Sequence, residues 1–193
     1  MQVAWGGGKW IFLDIGFSST KRTCGFAFGN EAPSRLSFGE GRRKVLERIR
    51  TCQGTVSLVI EAPLSVCFNT IGNPKGRRIE RQDGQHRYWH SPVGCMVMAA
   101  ALYLIRGMYD ANLNSELRVF EGFVSFKKGT GASDHEKDVR QLREIVRNSQ
   151  DYQDCIYTSD DLIIDTGDTL QNAFRVSGMD FGIPAVIMAK QKA

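Results

Sequence analysis

Two short apolar runs, each closed by a carboxylate, constrain the fold of this 193-residue chain more than any other feature. The first run is residues 10–13 (WIFL), closed by Asp14, and the second is residues 56–60 (VSLVI), closed by Glu61. Runs of this length and composition predict strands buried within a sheet. Asp14 alone could simply cap the turn that follows it. Two neighbouring carboxylates at one sheet edge, however, are tolerated mainly when a cation lies between them, so the pair predicts a cation site.

The residues around Asp14 predict a hairpin. Gly16 lets backbone or ligand approach closely, residues 18–21 (SSTK) form a polar turn, and residues 25–28 (GFAF) return as an antiparallel strand. Hydrophobic periodicity predicts the other elements. These are strands at 35–38, 56–61 and 118–126, with a bulge at Gly122, helices at 42–50, 92–107, about 134–148 and 168–177, and an extended segment at 181–188.

The third of these helices begins with a capping box, in which Ser133 is the N-cap and Glu136 follows three residues later. His135 and Asp138 lie in its first turn, where we expect a solvated helix end rather than a site. Together the elements predict an α/β fold. It is a single domain over residues 1–193, with a central mixed sheet that opens on an antiparallel hairpin and is flanked by helices.

Charge is unevenly distributed along the chain. Residues 1–92 contain 14 Lys or Arg against 7 Asp or Glu, whereas residues 93–193 contain 11 against 14. A basic first half suits a polyanionic partner, and an acidic second half suits metal ligands, although solvated helix faces account for part of both. Five widely spaced cysteines without a CxxC pair predict reduced thiols and a cytoplasmic location. We expect no signal peptide, and the longest apolar run, residues 93–105, predicts no membrane span.

Residues 67–92 (CFNTIGNPKGRRIERQDGQHRYWHSP) read as one long loop in which cations alternate with aromatic rings. Loops of this length in compact domains are functional or disordered. Bases of a single-stranded nucleic acid would stack on the rings while its phosphates met Lys and Arg. A flexible loop without such a function is the equal alternative.

Taken together, these motifs resemble the RNase H-like superfamily, and within it a family of small proteins predicted to be nucleases. The resemblance rests on short segments spread over most of the chain: 14–16 (DIG), 61–64 (EAPL), 76–81 (GRRIER), 124–126 (VSF) and 168–174 (DTLQNAF). It implies an RNase H-like domain that hydrolyses phosphodiester bonds with a divalent metal. Asn172 stands where the superfamily places its final catalytic Asp, so the resemblance shifts that role to Asp168 or Asp165.

The resemblance implies that Asp14, Glu61 and Asp168 are catalytic and that, with Asp165, they hold one or two Mg²⁺ or Mn²⁺ ions. Glu121 is a possible additional acid. Such ions activate water and stabilise the leaving oxygen during attack on a phosphodiester. The side chains expected to contact DNA or RNA are Lys21, Arg43, Lys75, Arg77, Arg78, Arg81, Arg87, Tyr88 and Trp89.

Two other functions are compatible with the sequence. The same fold could bind nucleic acid or a protein without catalysis, and its affinity would then not depend on Asp14. An actin-like phosphate-binding ATPase shares the opening hairpin, but it needs a second domain and a glycine-rich phosphate loop that the sequence lacks. DNA against RNA, the oligomeric state and the pathway stay open.

Overall fold

A computed structural model describes residues 8–82, 85–86, 91–111, 113, 115–124 and 134–189. Its strands are β1 (Lys9–Asp14), β2 (Cys24–Phe28), β3 (Ser34–Leu36), β4 (Thr55–Glu61), β5 (Ser65–Phe68), β6 (Pro74–Lys75), β7 (Arg81–Gln82), β8 (Gln85–His86), β9 (Glu116–Phe123), β10 (Ile156–Tyr157), β11 (Thr169–Asn172) and β12 (Val186–Met188). The helices are α1 (Phe38–Thr51), α2 (Pro92–Asp110), α3 (His135–Arg147) and α4 (Ser159–Leu162). Three 3-10 turns lie at Arg78–Glu80, Gln153–Cys155 and Ala173–Ser177.

Seven strands form a central mixed sheet in the order β10-β12-β9-β4-β1-β2-β3. The strands β1, β4, β9 and β12 run parallel to one another, and β2 returns antiparallel to β1. A smaller sheet has the order β11-β5-β6, and β7 pairs with β8. The predicted α/β class, with a central mixed sheet, an N-terminal hairpin and flanking helices, is confirmed.

The helices lie on both faces of the central sheet. Ile11 and Leu13 of β1 pack in one core with residues of α1 and α2, whereas Phe12 packs in a second core with residues of α3. Successive side chains of a strand point to opposite faces. Asp14 therefore shares the α3 face with Phe12, and Glu61 shares it with Val59 of β4.

Two helices are longer than the sequence predicted. Helix α1 begins earlier because Ser37 and Glu40 form a capping box that hydrogen-bonds the first free amides. Helix α2 has 19 residues and a mean hydropathy of 1.4 over its most apolar window, so by length and composition it could cross a membrane. Its inward residues, including Ala101 and Leu104, lie in the core between α1 and the sheet, as in the core helix of a globular domain.

Three local predictions were wrong. Residues 67–92 are not one loop, since the chain forms β5 to β8 and a 3-10 turn there, although 83–84 and 87–90 are outside the described residues. Residues 168–177 are not a helix, because Thr169–Asn172 pair with β5 before a 3-10 turn. Gly122 forms no bulge, because its register with Glu61 and Ile187 is continuous.

Candidate metal centre

Two acidic residues are neighbours at the end of the parallel strands. Asp14 closes β1 and Glu61 closes β4, and the two are register partners in adjacent strands. Adjacent strands are about 4.8 Å apart, and partnered residues point to the same face. Asp14 is only 1% exposed and Glu61 is half-buried. The predicted juxtaposition of these two acids is therefore present.

Helix α3 brings two more ligand groups to Asp14. The Nδ1 atom of His135 lies 2.7 Å from Oδ2 of Asp14, although the two residues are 121 positions apart. Asp138 is buried and follows His135 by three residues, which places both side chains on one face of the helix. One ligand atom from each of Asp14, His135 and Asp138 lies within 4.8 Å of the other two.

Two glycines of the hairpin allow this close approach. Gly25 is the register partner of Asp14, and a Cβ atom there would lie 2.1 Å from the carbonyl oxygen of His135. A Cβ atom on Gly16 would lie 2.5 Å from Nε2 of His135 and 2.1 Å from the carbonyl oxygen of Thr23. Real Cβ atoms do not approach other atoms so closely. The first turn of α3 therefore rests on the hairpin only because both positions are glycine.

The donor set fits a divalent cation. Two carboxylates and an imidazole supply oxygen and nitrogen ligands of the kind that Mg²⁺ and Mn²⁺ accept, with imidazole favouring Mn²⁺. A cation at this position would interact favourably with the buried carboxylates of Asp14 and Asp138. The start of α3 contributes a further partial positive charge, because the helix dipole is positive at its N-terminus.

A thiol next to the centre stays protonated. Burial raises the pKa of Cys24 to about 11, and the negative charge of Asp14 adds to this effect while the carbonyl of Gly16 opposes it. The Sγ atom lies 3.6 Å from that carbonyl oxygen and donates to it. The side chain packs in the core with Ile11 and Leu13, on the face of the sheet opposite to Asp14.

Asp168 and Asp165, which the sequence assigned to the metal, form a different cluster. The Nζ atom of Lys75 lies 2.7 Å from a carboxylate oxygen of each. These residues adjoin the small sheet of β11, β5 and β6. Among the described residues, the group with metal-ligand spacing contains neither of them. Glu61 is also outside that group, so among the predicted metal ligands the group contains Asp14 alone.

Two more predicted site residues are buried together in an ion-pair cluster. Glu121 lies on the face of β9 opposite to Glu61, since its neighbour Phe120 packs toward α3. Its carboxylate accepts from Arg77, whose side chain is 1% exposed. Glu121 is thus turned away from Asp14, and the location of Arg77 does not suit the nucleic-acid contact predicted for it.

The other predicted nucleic-acid residues are dispersed. Lys21 is exposed in the hairpin turn beside the centre, where Ser18 accepts from its amide. Arg43 lies on α1, on the opposite face of the sheet, in a groove of about 540 Å³ that it lines with Arg42 and Arg50. Arg78 donates to the carbonyl of Ile163, and Arg81 is exposed. Arg87, Tyr88 and Trp89 lie outside the described residues.

Two residues of the group with metal-ligand spacing, His135 and Asp138, were assigned from the sequence to a solvated helix end rather than to a site. Their spacing of three residues at the start of an amphipathic helix was visible, and it places an imidazole and a carboxylate together. The predicted capping box of Ser133 and Glu136 favoured a structural role for this helix start. In the structure Asp134 is the N-cap, and the predicted N-cap Ser133 lies outside the described residues.

No protein-family model matches this chain, and no curated protein or solved structure is significantly similar to it. The resemblance to RNase H-like proteins therefore stays a prediction from the sequence.

Proposed function

We propose that this protein is a divalent-metal-dependent nuclease whose centre comprises Asp14, Glu61, His135 and Asp138. The observation that carries the proposal is the convergence of ligand atoms from Asp14, His135 and Asp138 within 4.8 Å, at the end of two parallel strands. Ligands in open α/β sheets bind outside the carboxyl ends of strands, which is where this group lies. The resemblance of residues 14–16 and 61–64 to RNase H-like nucleases supports phosphodiesters as substrates.

Each residue has a distinct task in this proposal. Asp14 and Asp138 would hold the cation, and the half-buried Glu61 would supply a further carboxylate. The Nδ1 atom of His135 would orient the Asp14 carboxylate by donating to Oδ2 or, in the tautomer without a proton on Nδ1, bind the cation itself. A bound Mg²⁺ or Mn²⁺ ion would supply a water of lowered pKa and polarise a phosphoryl oxygen.

Cationic side chains surround the centre and suit a polyanionic substrate. Lys21 and Arg22 are exposed in the hairpin turn. Arg35, on the strand next to Gly25, is exposed and forms salt bridges of 3.3 and 3.7 Å with Asp134 and Glu136 at the start of α3. Such contacts would bind a phosphate backbone without reading its sequence. Lys21 is one of the basic residues that the sequence predicted to contact nucleic acid, whereas Arg22 and Arg35 were not among them.

The test is cleavage of labelled single- and double-stranded DNA and RNA with Mg²⁺, with Mn²⁺ and with EDTA. The wild type is compared with Asp14→Asn and with Asp168→Asn, which removes an acid outside the proposed centre. We expect metal-dependent cutting by the wild type and by Asp168→Asn, and its loss in Asp14→Asn. Binding without cutting by all three proteins would contradict the proposal and favour the non-catalytic binding module.

A further inference from the structure

A cluster of three buried charged side chains lies behind the proposed centre. Arg77 donates all five of its guanidinium N–H groups. Nε and Nη2 donate to Glu80 over 2.9 and 2.6 Å, Nη1 and Nη2 donate to Glu121 over 2.7 Å each, and Nη1 donates to Ser65 over 2.8 Å. Side chains of Arg77, Glu80 and Glu121 are at most 1% exposed.

The cluster is costly to bury. It contains one cation and two carboxylates, and burial raises the pKa of Glu80, an effect that Arg77 opposes and the charge of Glu121 reinforces. Burial also disfavours the charged guanidinium, yet the charges of Glu121 and Glu80 hold the pKa of Arg77 above its usual value. Apolar residues of similar volume often stabilise a fold as well as a buried ion cluster does. Stability alone is thus a weak reason for these three residues.

The cluster is bonded directly to the segment that follows Glu61. The amide of Leu64 donates to Oε2 of Glu121 over 2.8 Å, and the carbonyl oxygen of Leu64 accepts from Ala173 over 2.8 Å. Ser65, the next residue, accepts from Arg77. Both backbone polar groups of Leu64 are therefore fixed three residues after the half-buried carboxylate of Glu61.

The chain turns sharply at Glu61 itself. The amide of Ala62 donates to the carbonyl oxygen of Ile60 over 2.9 Å, a three-residue turn with Glu61 at its centre. Glu121 is the register partner of Ile60, on the strand next to this turn. The direction of the Glu61 side chain thus depends on the backbone path of residues 62–65. Glu121 and Arg77 fix that path through their hydrogen bonds to Leu64 and Ser65.

We propose that Glu121 and Arg77 are positioning residues, which fix the turn at Glu61, the register partner of Asp14. This inference rests on the proposed function, because it concerns the same centre. Residues that orient metal ligands from outside typically change metal affinity or activity by about 10- to 100-fold when mutated.

The experiment compares Glu121→Gln with Glu80→Gln in the full chain. Each variant replaces one buried carboxylate partner of Arg77 by an amide. The NH₂ group of that amide cannot accept from the guanidinium N–H groups, so both variants lose comparable hydrogen bonds to Arg77. Only Glu121 also holds Leu64. Mn²⁺ affinity is measured by direct titration followed by electron paramagnetic resonance, together with the Mg²⁺ dependence of cleavage and the thermal midpoint of each protein.

We expect Mn²⁺ affinity to fall by about 10-fold or more in Glu121→Gln and by no more than about 3-fold in Glu80→Gln, at similar losses of thermal midpoint. Ser65→Ala, which removes a single hydroxyl that accepts from Arg77, should weaken Mn²⁺ binding measurably while leaving the protein folded. If Glu121→Gln does not fold, Ser65→Ala decides the question.

Equal affinity losses in the two glutamine variants, or wild-type affinity in Glu121→Gln, would overturn the positioning role. So would wild-type affinity in Ser65→Ala if Glu121→Gln does not fold. These results are distinct from failure of the proposed function itself. That failure would show as a wild-type protein that binds no Mn²⁺, or as an Asp14→Asn variant that binds Mn²⁺ as tightly as the wild type.

Discussion

Two groups of acidic side chains in this molecule have opposite electrostatic designs. Around Asp168, the ammonium of Lys75 lies 2.7 Å from a carboxylate oxygen of each of two aspartates. Around Asp14, the contacting group at 2.7 Å is the imidazole of His135, and the buried Asp138 lies beside both. An ammonium is a donor only, whereas a neutral imidazole nitrogen can itself bind a metal.

The difference separates the two groups of acids as candidate metal sites. The late aspartates look like ligands in the sequence, but their positive partner is a lysine already within the fold. Asp14 instead contacts an imidazole, a group that can itself bind a metal. The partner of a carboxylate, rather than the number of carboxylates, separates a candidate metal centre from a structural ion pair.

The largest expected effect is the difference between substituting Asp138 and substituting Asp168. Asp138→Asn should lower metal-dependent cleavage and Mn²⁺ affinity by at least about 100-fold, the upper end for changes one step removed from a metal. Asp168→Asn should change either quantity by no more than about 3-fold, because its ion pair with Lys75 is exchanged for a weaker hydrogen bond away from the centre. Cleavage rates and Mn²⁺ titrations check both. Comparable losses in the two variants would mean that the late acids belong to the centre after all.

The next largest effect concerns how α3 reaches the hairpin. Gly25→Ala would place a Cβ atom 2.1 Å from a backbone oxygen of His135, which no rotamer change can relieve. We expect a loss of about 3 kcal/mol or more in the free energy of unfolding, at the upper end for overpacking. The control is Gly39→Ala in α1, where a Cβ atom meets nothing within 4 Å, and which should be neutral or stabilising by up to about 1 kcal/mol. Urea unfolding measures both, and an unaffected Gly25→Ala protein would contradict the described packing.

Much of the fold could be predicted because hydrophobic period is a local signal. Residues 10–13 and 56–60 read as buried strands, and the register of β1 with β4 then places Asp14 beside Glu61. The first residue of helix α1 was predicted less accurately. The box formed by Ser37 and Glu40 starts α1 four residues before the predicted start, which had been set by its apolar face.

The structure of residues 168–177 depends on a long-range strand pairing that their own sequence does not indicate. Their apolar spacing suits a helix, but Thr169 and Leu170 find strand partners in β5, a pairing decided about a hundred residues earlier in the chain. The same holds for His135, since only the packing of α3 on Gly16 and Gly25 brings its ring to Asp14. In the candidate centre, the positions of Asp14 and Glu61 were predictable from strand ends, whereas that of His135 depended on a long-range contact.

A smaller effect is expected when the ammonium group of Lys75 is removed from between the two late aspartates. Lys75→Met leaves Asp165 and Asp168 together without the ammonium between them. In an Asp14→Asn background, which disables the proposed centre, we expect Lys75→Met to lower the thermal midpoint and millimolar Ca²⁺ to restore part of the loss. The Asp14→Asn protein that retains Lys75 should show no such Ca²⁺ response. Identical responses in a thermal scan would mean that Lys75 does not replace a cation there.

The smallest expected effect is the acid dependence of stability. Hydrogen bonding to Lys75, followed by the amide of Asp165, holds the pKa of Asp168 below its ordinary value of 3.8. Because the folded-state pKa is depressed, Asp168 stabilises the fold fully above that ordinary value, and the contribution is lost as pH falls toward the folded-state pKa. Unfolding free energies from urea titrations between about pH 2 and pH 6 should therefore fall less steeply in Asp168→Asn than in the wild type. The same dependence of the unfolding free energy on pH in the two proteins would contradict this expectation. It would show that the ion pair between Asp168 and Lys75 gives no net stabilisation.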